Sequence, residues 1–221
     1  MAYSKNLITT LADKNFLNYA KQLFSSIYWN AGWKGDYLLL SHEIPESELE
    51  WFREKGIFVK ECAPLYDKNV GYQHFPPVVL DLFYLFTTEF KKWDNIIFLD
   101  ADIIVRASLE SLANVKGLAS PCVMNDRLFM YFNQELDLEE YHLLSKKYDL
   151  NIKPFNSGIM AFSTDIIHEN TFEELLRLFY LYEKIGSGND PVLNLFFYQK
   201  WKKLPIVYDI TPLNIQAHTG L

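Results

Sequence analysis

Residues 95–102 read NIIFLDAD, a strongly apolar run followed at once by Asp100, Ala101 and Asp102. A run of this length and composition predicts a buried central strand. In an open α/β sheet, ligands bind outside the carboxyl ends of the strands. The stretch therefore predicts an α/β fold and also the place at which its functional site lies.

The sequence before this stretch alternates between strand and helix patterns. Short apolar runs predict strands, and apolar residues spaced by three and four predict helices. The segments are, in order, residues 6–12, 16–30, 36–41, 46–55 and 57–62. This β-α-β-α-β order predicts a mostly parallel sheet covered by helices on both faces.

The rest of the chain continues the α/β pattern with one interruption. We expect helices at residues 78–93, 138–147, 164–184 and 191–200, and strands at 155–162 and 204–207. Residues 126–148 are rich in charged and aromatic side chains, so we expect an excursion there that contains the helix at 138–147. We also expect the sheet to include a small antiparallel part.

Composition excludes several classes of protein. The 221 residues are 49% hydrophobic and carry a formal net charge of −7, which argues against disorder and against nucleic-acid binding. The segment before residue 18 lacks the apolar core of a signal peptide, and we find no apolar run long enough to span a membrane. With Cys62 and Cys122 expected to be reduced thiols, we expect a single cytoplasmic domain over residues 1–221.

Two carboxylates at the end of a strand suggest a metal site. Asp100 and Asp102 would point to opposite faces of a regular strand, so the chain must turn at Ala101 if both serve one site. Converging carboxylates repel each other, and a hard cation such as Mg²⁺ or Mn²⁺, which also binds phosphate oxygens, relieves that repulsion. The alternative is that Asp100 caps a turn and Asp102 is merely solvated.

Five segments together resemble glycosyltransferase family 8. They are IIFLDADIIV at 96–105, TLADKNFL at 10–17, FNSGIMAF at 155–162, NDPVLNLFF at 189–197 and AHTG at 217–220. The resemblance implies a GT-A fold, which is Rossmann-like. It also implies transfer of a hexose from a UDP-sugar to an acceptor hydroxyl on a glycan or glycoprotein, with retention of anomeric configuration.

The same resemblance assigns residues to the metal and to the nucleotide. Asp100, Asp102 and His218 would bind Mn²⁺, with Mg²⁺ as the alternative, and Gly220 would let the backbone approach the diphosphate. The residues that would surround the uridine are Thr10, Leu11, Ala12, Asp13 and Phe16. A simpler reading makes Asp13 a helix N-cap and Phe16 a core residue, and is compatible with these roles.

Two polar segments would contact the transferred sugar by resemblance. Asn156, Ser157 and Gly158 interrupt an apolar strand, which also fits a plain bulge. Asn189 and Asp190 stand where the family has Asp and Gln beside the anomeric carbon. Asp190 could stabilise an oxocarbenium-like transition state, whereas an N-cap role for Asn189 explains the same dipeptide.

Asp81 is a further catalytic candidate because it is an acidic residue inside a very apolar predicted helix. The family often has a basic residue in this helix. Buried, Asp81 would have a raised pKa or an unseen partner. We expect it to contact a sugar hydroxyl or a basic group, or else to face solvent.

Two rival functions remain at this point. One is a nucleotide-sugar-binding module that has lost turnover, and the other is a phosphatase with an Asp-x-Asp nucleophile motif. A looser resemblance, to the N-terminal domain of a large capsid-glycosylating viral protein, would place the enzyme in host cytoplasm. Since the family normally continues past its His-x-x-Gly segment, we expect a domain of a longer chain.

Overall fold

The computed structural model describes residues 5–123 and 126–210. Within them, a central sheet of seven strands has the order β3-β2-β1-β4-β6-β5-β7. The strands are β1 Asn6–Ala12, β2 Asp36–His42, β3 Phe58–Cys62, β4 Asn95–Leu99, β5 Leu118–Pro121, β6 Ile159–Ser163 and β7 Trp201–Leu204. All neighbouring pairs are parallel except the two that involve β6. The expected mostly parallel sheet with a small antiparallel part is confirmed.

Helices cover both faces of the sheet. The α-helices are α1 Leu17–Asn30, α2 Glu46–Glu54, α3 Leu138–Lys147, α4 Thr171–Tyr182 and α5 Asp190–Phe196. One apolar cluster lies between the sheet and α1 and α2, and the other lies between the sheet and α4, α5 and the 3-10 segment Pro77–Phe86. The inner strands β4 and β6 are therefore buried on both sides, which explains their apolar runs, whereas the edge strands β3 and β7 are partly exposed.

The long helix expected at residues 78–93 is wrong in type and continuity. The structure has two 3-10 segments, Pro77–Phe86 and Thr88–Lys92, separated by Thr87 in an extended conformation. The Thr87 hydroxyl donates to the carbonyl of Tyr84 at 2.9 Å, which competes with helical continuation. Nearly every residue of the first segment is apolar, so no amphipathic stripe of period 3.6 favours an α-helix.

Three later boundaries also differ from the prediction. The helix expected at 164–184 is a 3-10 turn at Thr164–Ile166 followed by α4, because Ile167 is extended and His168 N–H donates to the Thr171 hydroxyl. The last helix ends at Phe196, and the last strand is Trp201–Leu204, paired with β5, rather than 204–207. Pro205 ends that strand, and a 3-10 turn at Ile206–Tyr208 follows.

The strand expected at residues 155–162 begins later than predicted. The Asn156 side-chain oxygen accepts from Gly158 N–H at 2.9 Å, which closes a tight turn before β6 starts at Ile159. Such side-chain to backbone bonds stabilise turns at Asn. The polar interruption of the apolar run is therefore a turn that precedes the strand.

Cys62 and Cys122 are both free and buried, as expected for reduced thiols. Among the described residues, no helix has the length and apolar character needed to cross a bilayer.

A buried pair ties β2 to the first 3-10 segment. Asp81 has no exposed surface, and its Oδ2 lies 2.7 Å from Nδ1 of His42 at the end of β2. Burial raises the pKa of Asp81 to about 6, and the contact with His42 opposes that rise. The expectation that Asp81 faces solvent is wrong, and the basic group is His42.

We predict that Asp81→Ala destabilises the fold, because it leaves His42 buried without its partner and opens a gap in the apolar layer. The expected loss is about 3 kcal/mol in the free energy of unfolding, measured by urea denaturation. Glu46→Ala is the control, since Glu46 forms an exposed ion pair with Arg53 and should leave the unfolding midpoint nearly unchanged. Equal effects of the two substitutions would contradict this assignment.

Candidate active site

The strand order reverses between β1 and β4. Strands β1, β2 and β3 follow one another to one side, while β4 begins the other side of the sheet. Two such strands have loops at their carboxyl ends that run in opposite directions, which opens a crevice between the loops. The end of β1 leads into Asp13, and the end of β4 leads into Asp100, so these two sequence-predicted segments share one crevice.

The chain turns directly after β4. Ile103 N–H donates to the carbonyl of Asp100 at 3.2 Å, which closes a turn through Ala101 and Asp102. Ala101 is buried, while the side chains of Asp100 and Asp102 are exposed to solvent. The turn that the two carboxylates require is confirmed.

The antiparallel strand β6 places the residues that precede it beside the turn at Asp100. Because Leu99 pairs with Ile159, the residues before β6 lie beside those after β4. Asp100 N–H donates to the carbonyl of Gly158 at 2.8 Å. A methyl group on Gly158 would lie 2.9 Å from Cγ of Asp100 and closer still to its Oδ2. Glycine is needed here because the Asp100 carboxylate occupies the space.

The start of α5 completes this side of the site. Ser157 N–H donates to Oδ1 of Asp190 at 3.1 Å, and Nδ2 of Asn189 donates to the Ser157 hydroxyl at 3.2 Å. Asn189 precedes α5 but makes no side-chain cap hydrogen bond to that helix. The N-cap alternative for Asn189 therefore lacks its defining contact, and the side chain turns to Ser157 instead.

Negative charge accumulates around Asp100. Protein atoms crowd this carboxylate although solvent reaches it, and this burial together with the charges of Asp190, Asp102 and Asp209 raises the pKa of Asp100 to about 7. Burial also raises the pKa of Asp190. Such an accumulation is unfavourable unless a proton or a cation compensates for it.

The donor set fits a hard divalent cation only in part. Asp100 and Asp102 supply carboxylate oxygens, and their mutual repulsion is what such an ion would relieve. Within residues 5–123 and 126–210, no group of three His, Cys, Asp or Glu side chains is arranged to hold a metal ion. The expected third ligand, His218, and the expected phosphate contact, Gly220, lie outside the described residues.

The segment after β1 is organised by Asp13. Its Oδ1 accepts from the N–H groups of Asn15 at 2.9 Å and Phe16 at 3.0 Å, which fixes the turn before α1. Phe16 is 43% exposed, so the alternative that made it a core residue is wrong, and its ring is accessible to a planar base. Of the remaining expected nucleotide residues, Thr10 and Ala12 are buried and Leu11 is half-buried.

The side-chain amide of Asn156 forms hydrogen bonds within the protein. Its oxygen accepts from Gly158 N–H, and its Nδ2 donates to Oδ2 of Asp209 at 3.4 Å. The expected contact of Asn156 with a sugar hydroxyl would compete with these bonds. Asp81, by contrast, lies inside an apolar layer with no exposed surface, so its place in the structure does not support the catalytic role expected for it.

Sequence reasoning missed Asp209 altogether. It follows β7 in an irregular segment, so neither periodicity nor a motif marks it. It contacts Asn156 and contributes to the charge at Asp100.

Loops that carry aromatic residues lie near Asp190. Tyr72 N–H donates to the carbonyl of Gly186 at 3.2 Å, Ser187 N–H donates to that of Tyr131 at 3.0 Å, and Phe132 forms a bridge with Gly186. Burial, followed by the charge of Asp190, raises the pKa of the Tyr131 phenol. Tyr131 is thus linked electrostatically to the site.

A comparison with protein families decides the assignment. The sequence model of glycosyl transferase family 8 matches residues 7–219, which is nearly the whole chain. The chain belongs to glycosyltransferase family 8. The site assembled above lies within the matched region.

Individual relatives and structures agree with the family. Galactinol synthase 4 of Arabidopsis thaliana is 24% identical over 188 residues, a region that covers 80% of this chain and 55% of the relative. Glycosyltransferase GlyB of Streptococcus pneumoniae is 28% identical over 141 residues, covering 62% of this chain and 28% of GlyB. The galactosyltransferase LgtC superposes with a TM-score of 0.72 at 15% identity, covering 96% of this chain and 78% of LgtC.

These matches fix the fold and the family. The expected GT-A fold is confirmed by the likeness to LgtC. This chain spans about half the length of the galactinol synthase and little more than a quarter of GlyB. The expected viral origin is tested by none of these comparisons and stays a prediction.

We predict that Gly158→Ala lowers the rate of glycosyl transfer at least tenfold, because the new methyl group displaces the carboxylate of Asp100. The rate and the thermal unfolding midpoint should be measured together. Gly117→Ala is the matched control, since Gly117 has φ +72° and no atom near the added methyl. It should cost stability through backbone strain and leave the rate unchanged. A Gly158→Ala variant with full activity would contradict the close packing at Asp100.

Proposed function

We propose that this chain transfers a hexose from a UDP-sugar to an acceptor hydroxyl on a glycan or glycoprotein, with retention of anomeric configuration. The observation that supports the proposal most is the convergence of Asp100, Asp102 and Asp190 after β4. The neighbouring parallel strand β1 ends at the segment that carries Asp13 and Phe16. The site thus offers separate places for a base, a diphosphate and a sugar.

The uridine would lie at the end of β1. There the exposed ring of Phe16 offers a stacking surface, and Asp13 holds the backbone of the turn in one conformation. Because Asp13 already accepts two backbone hydrogen bonds, its carboxylate would bind the nucleoside mainly through the turn that it shapes.

The diphosphate would lie over the turn after β4, where Asp100 and Asp102, together with His218, would hold a divalent cation, Mn²⁺ or Mg²⁺. When bound, this ion would withdraw charge from the leaving diphosphate. The protein carries a net charge of −7, and its site residues are acidic, so an anionic donor needs such a cation for attraction. We therefore expect the reaction to depend strictly on metal.

The transferred sugar would lie between Asp100 and the start of α5. Asp190 is the carboxylate on that side, and its negative charge would stabilise the positive charge that develops at the anomeric carbon. Asn189 would act next to it, through the shared contact with Ser157. The acceptor would approach past Tyr131 and Tyr72, whose loops border Asp190.

We predict that the protein hydrolyses a UDP-sugar slowly without an acceptor, only with Mn²⁺ or Mg²⁺, and that Asp102→Ala abolishes this activity. A panel of UDP- and GDP-sugars, with and without metal, identifies the donor. The control is Asp94→Ala, which changes the same residue type before β4, at the opposite end of that strand. Metal-independent turnover by the Asp102 variant would contradict the proposal.

The same assay separates the rival functions. Binding of UDP by calorimetry without hydrolysis or transfer would favour a binding module. Release of inorganic phosphate from simple phosphate esters would favour a phosphatase. Membership of a glycosyltransferase family does not favour the binding module or the phosphatase.

A further inference from the structure

Ser157 is the residue through which the turn before β6 meets the start of α5. It is 5% exposed. Its N–H donates to Oδ1 of Asp190 at 3.1 Å, and its hydroxyl accepts from Nδ2 of Asn189 at 3.2 Å. The N–H and the hydroxyl of Ser157 are therefore directed at Asp190 and Asn189, where α5 begins.

Asp190 depends on these contacts. Burial raises the pKa of its carboxyl, while the hydroxyl and the N–H of Ser157 both lower it by hydrogen bonding. A charged carboxylate in such a place needs donors that hold it, since an unsatisfied buried charge is costly. Within the described residues, both of the donors that stabilise its charged form belong to Ser157.

The geometry points to Ser157 as a positioning residue that orients the carboxylate of Asp190, rather than as a contact of the donor sugar. The N–H of Ser157 binds Oδ1 of Asp190 and its hydroxyl binds the neighbouring Asn189, so this one residue holds both side chains at the start of α5. This inference rests on the proposed function, in which Asp190 faces the transferred sugar. It assigns to Ser157 an effect on the chemical step and little effect on donor binding.

Ser120 provides a matched comparison in the same region. Its hydroxyl is fully buried and donates to the carbonyl of Asn156 at 2.7 Å, one residue before Ser157. It supports the same turn but makes no contact with Asp190. Removing the Ser120 hydroxyl removes one support of the turn, whereas removing that of Ser157 removes the contact that holds Asn189 next to Asp190.

The test compares Ser157→Ala with Ser120→Ala in the purified full chain. Ser157→Ala keeps the backbone N–H and removes the hydroxyl, so we expect kcat for transfer or donor hydrolysis to fall about tenfold. KM for the donor should change less than about twofold, because uniform binding is not affected. Ser120→Ala should lower the thermal unfolding midpoint and keep kcat.

A double-mutant cycle separates positioning from general support of the fold. In an Asp190→Ala background, Ser157→Ala should lower kcat no further, since the group that it orients is gone. Ser157→Thr, which restores a hydroxyl, should recover part of the lost rate. If the alanine variant does not fold, Ser157→Cys fills nearly the same volume with a poor donor and should show the same loss of kcat.

The possible failures are distinguishable. A wild-type protein that turns over no nucleotide-sugar overturns the proposed function itself. An active wild type with undiminished kcat in Ser157→Ala overturns the positioning role. So do losses that add up in the cycle, or a loss of kcat that Ser120→Ala reproduces.

Discussion

The antiparallel pairing of β6 with β4 is the constraint on which the site depends. In a pair of parallel strands, the residues that precede one strand and the residues that follow its neighbour lie at opposite ends of the pair. Because β6 runs against β4, the turn at residues 156–158 lies beside Asp100, with Gly158 in contact with its backbone and its carboxylate. The same turn then binds Asp190 through Ser157. One reversal of strand direction therefore joins segments that are far apart in sequence.

The accumulated carboxylates give the site its electrostatic character. Asp190, Asp102 and Asp209 all oppose ionisation of Asp100, which is an arrangement that a fold selected only for stability would avoid. Burial and like charge shift the pKa in the same direction. A bound cation would relieve this cost, which supports the proposed role of an ion that accompanies an anionic substrate.

The sequence predicts the parts of this protein that rest on local pattern. Strands β1 and β4 and helix α3 have the predicted bounds, because each is a continuous apolar run or a capped helix with turn residues at both ends. Strand β5 was not predicted, since its four residues LASP have no strand pattern and are held by their neighbours in the sheet. The 3-10 segment Pro77–Phe86 likewise has no sequence period that predicts it, because most of its residues are buried.

The site residues also divide into those that a local sequence pattern marks and those that it does not. Asp100 and Asp102 are marked by their place after an apolar strand, whereas Asp209 carries no local signal and reaches the site only through the fold. For Asp81 the anomaly was visible in the sequence, but its partner His42 lies on strand β2, 39 residues earlier in the chain. Pairings over long distances in sequence are the part that pattern alone does not supply.

The most direct test of the account is the location of metal and nucleotide in crystals of this chain grown with Mn²⁺ and UDP. Anomalous diffraction identifies the metal without reference to activity. The account predicts a Mn²⁺ peak bound by the carboxylates of Asp100 and Asp102, with the diphosphate on the same ion and the uracil at Phe16. A nucleotide bound away from the crevice between β1 and β4, or bound there with no metal at the two carboxylates, would contradict it.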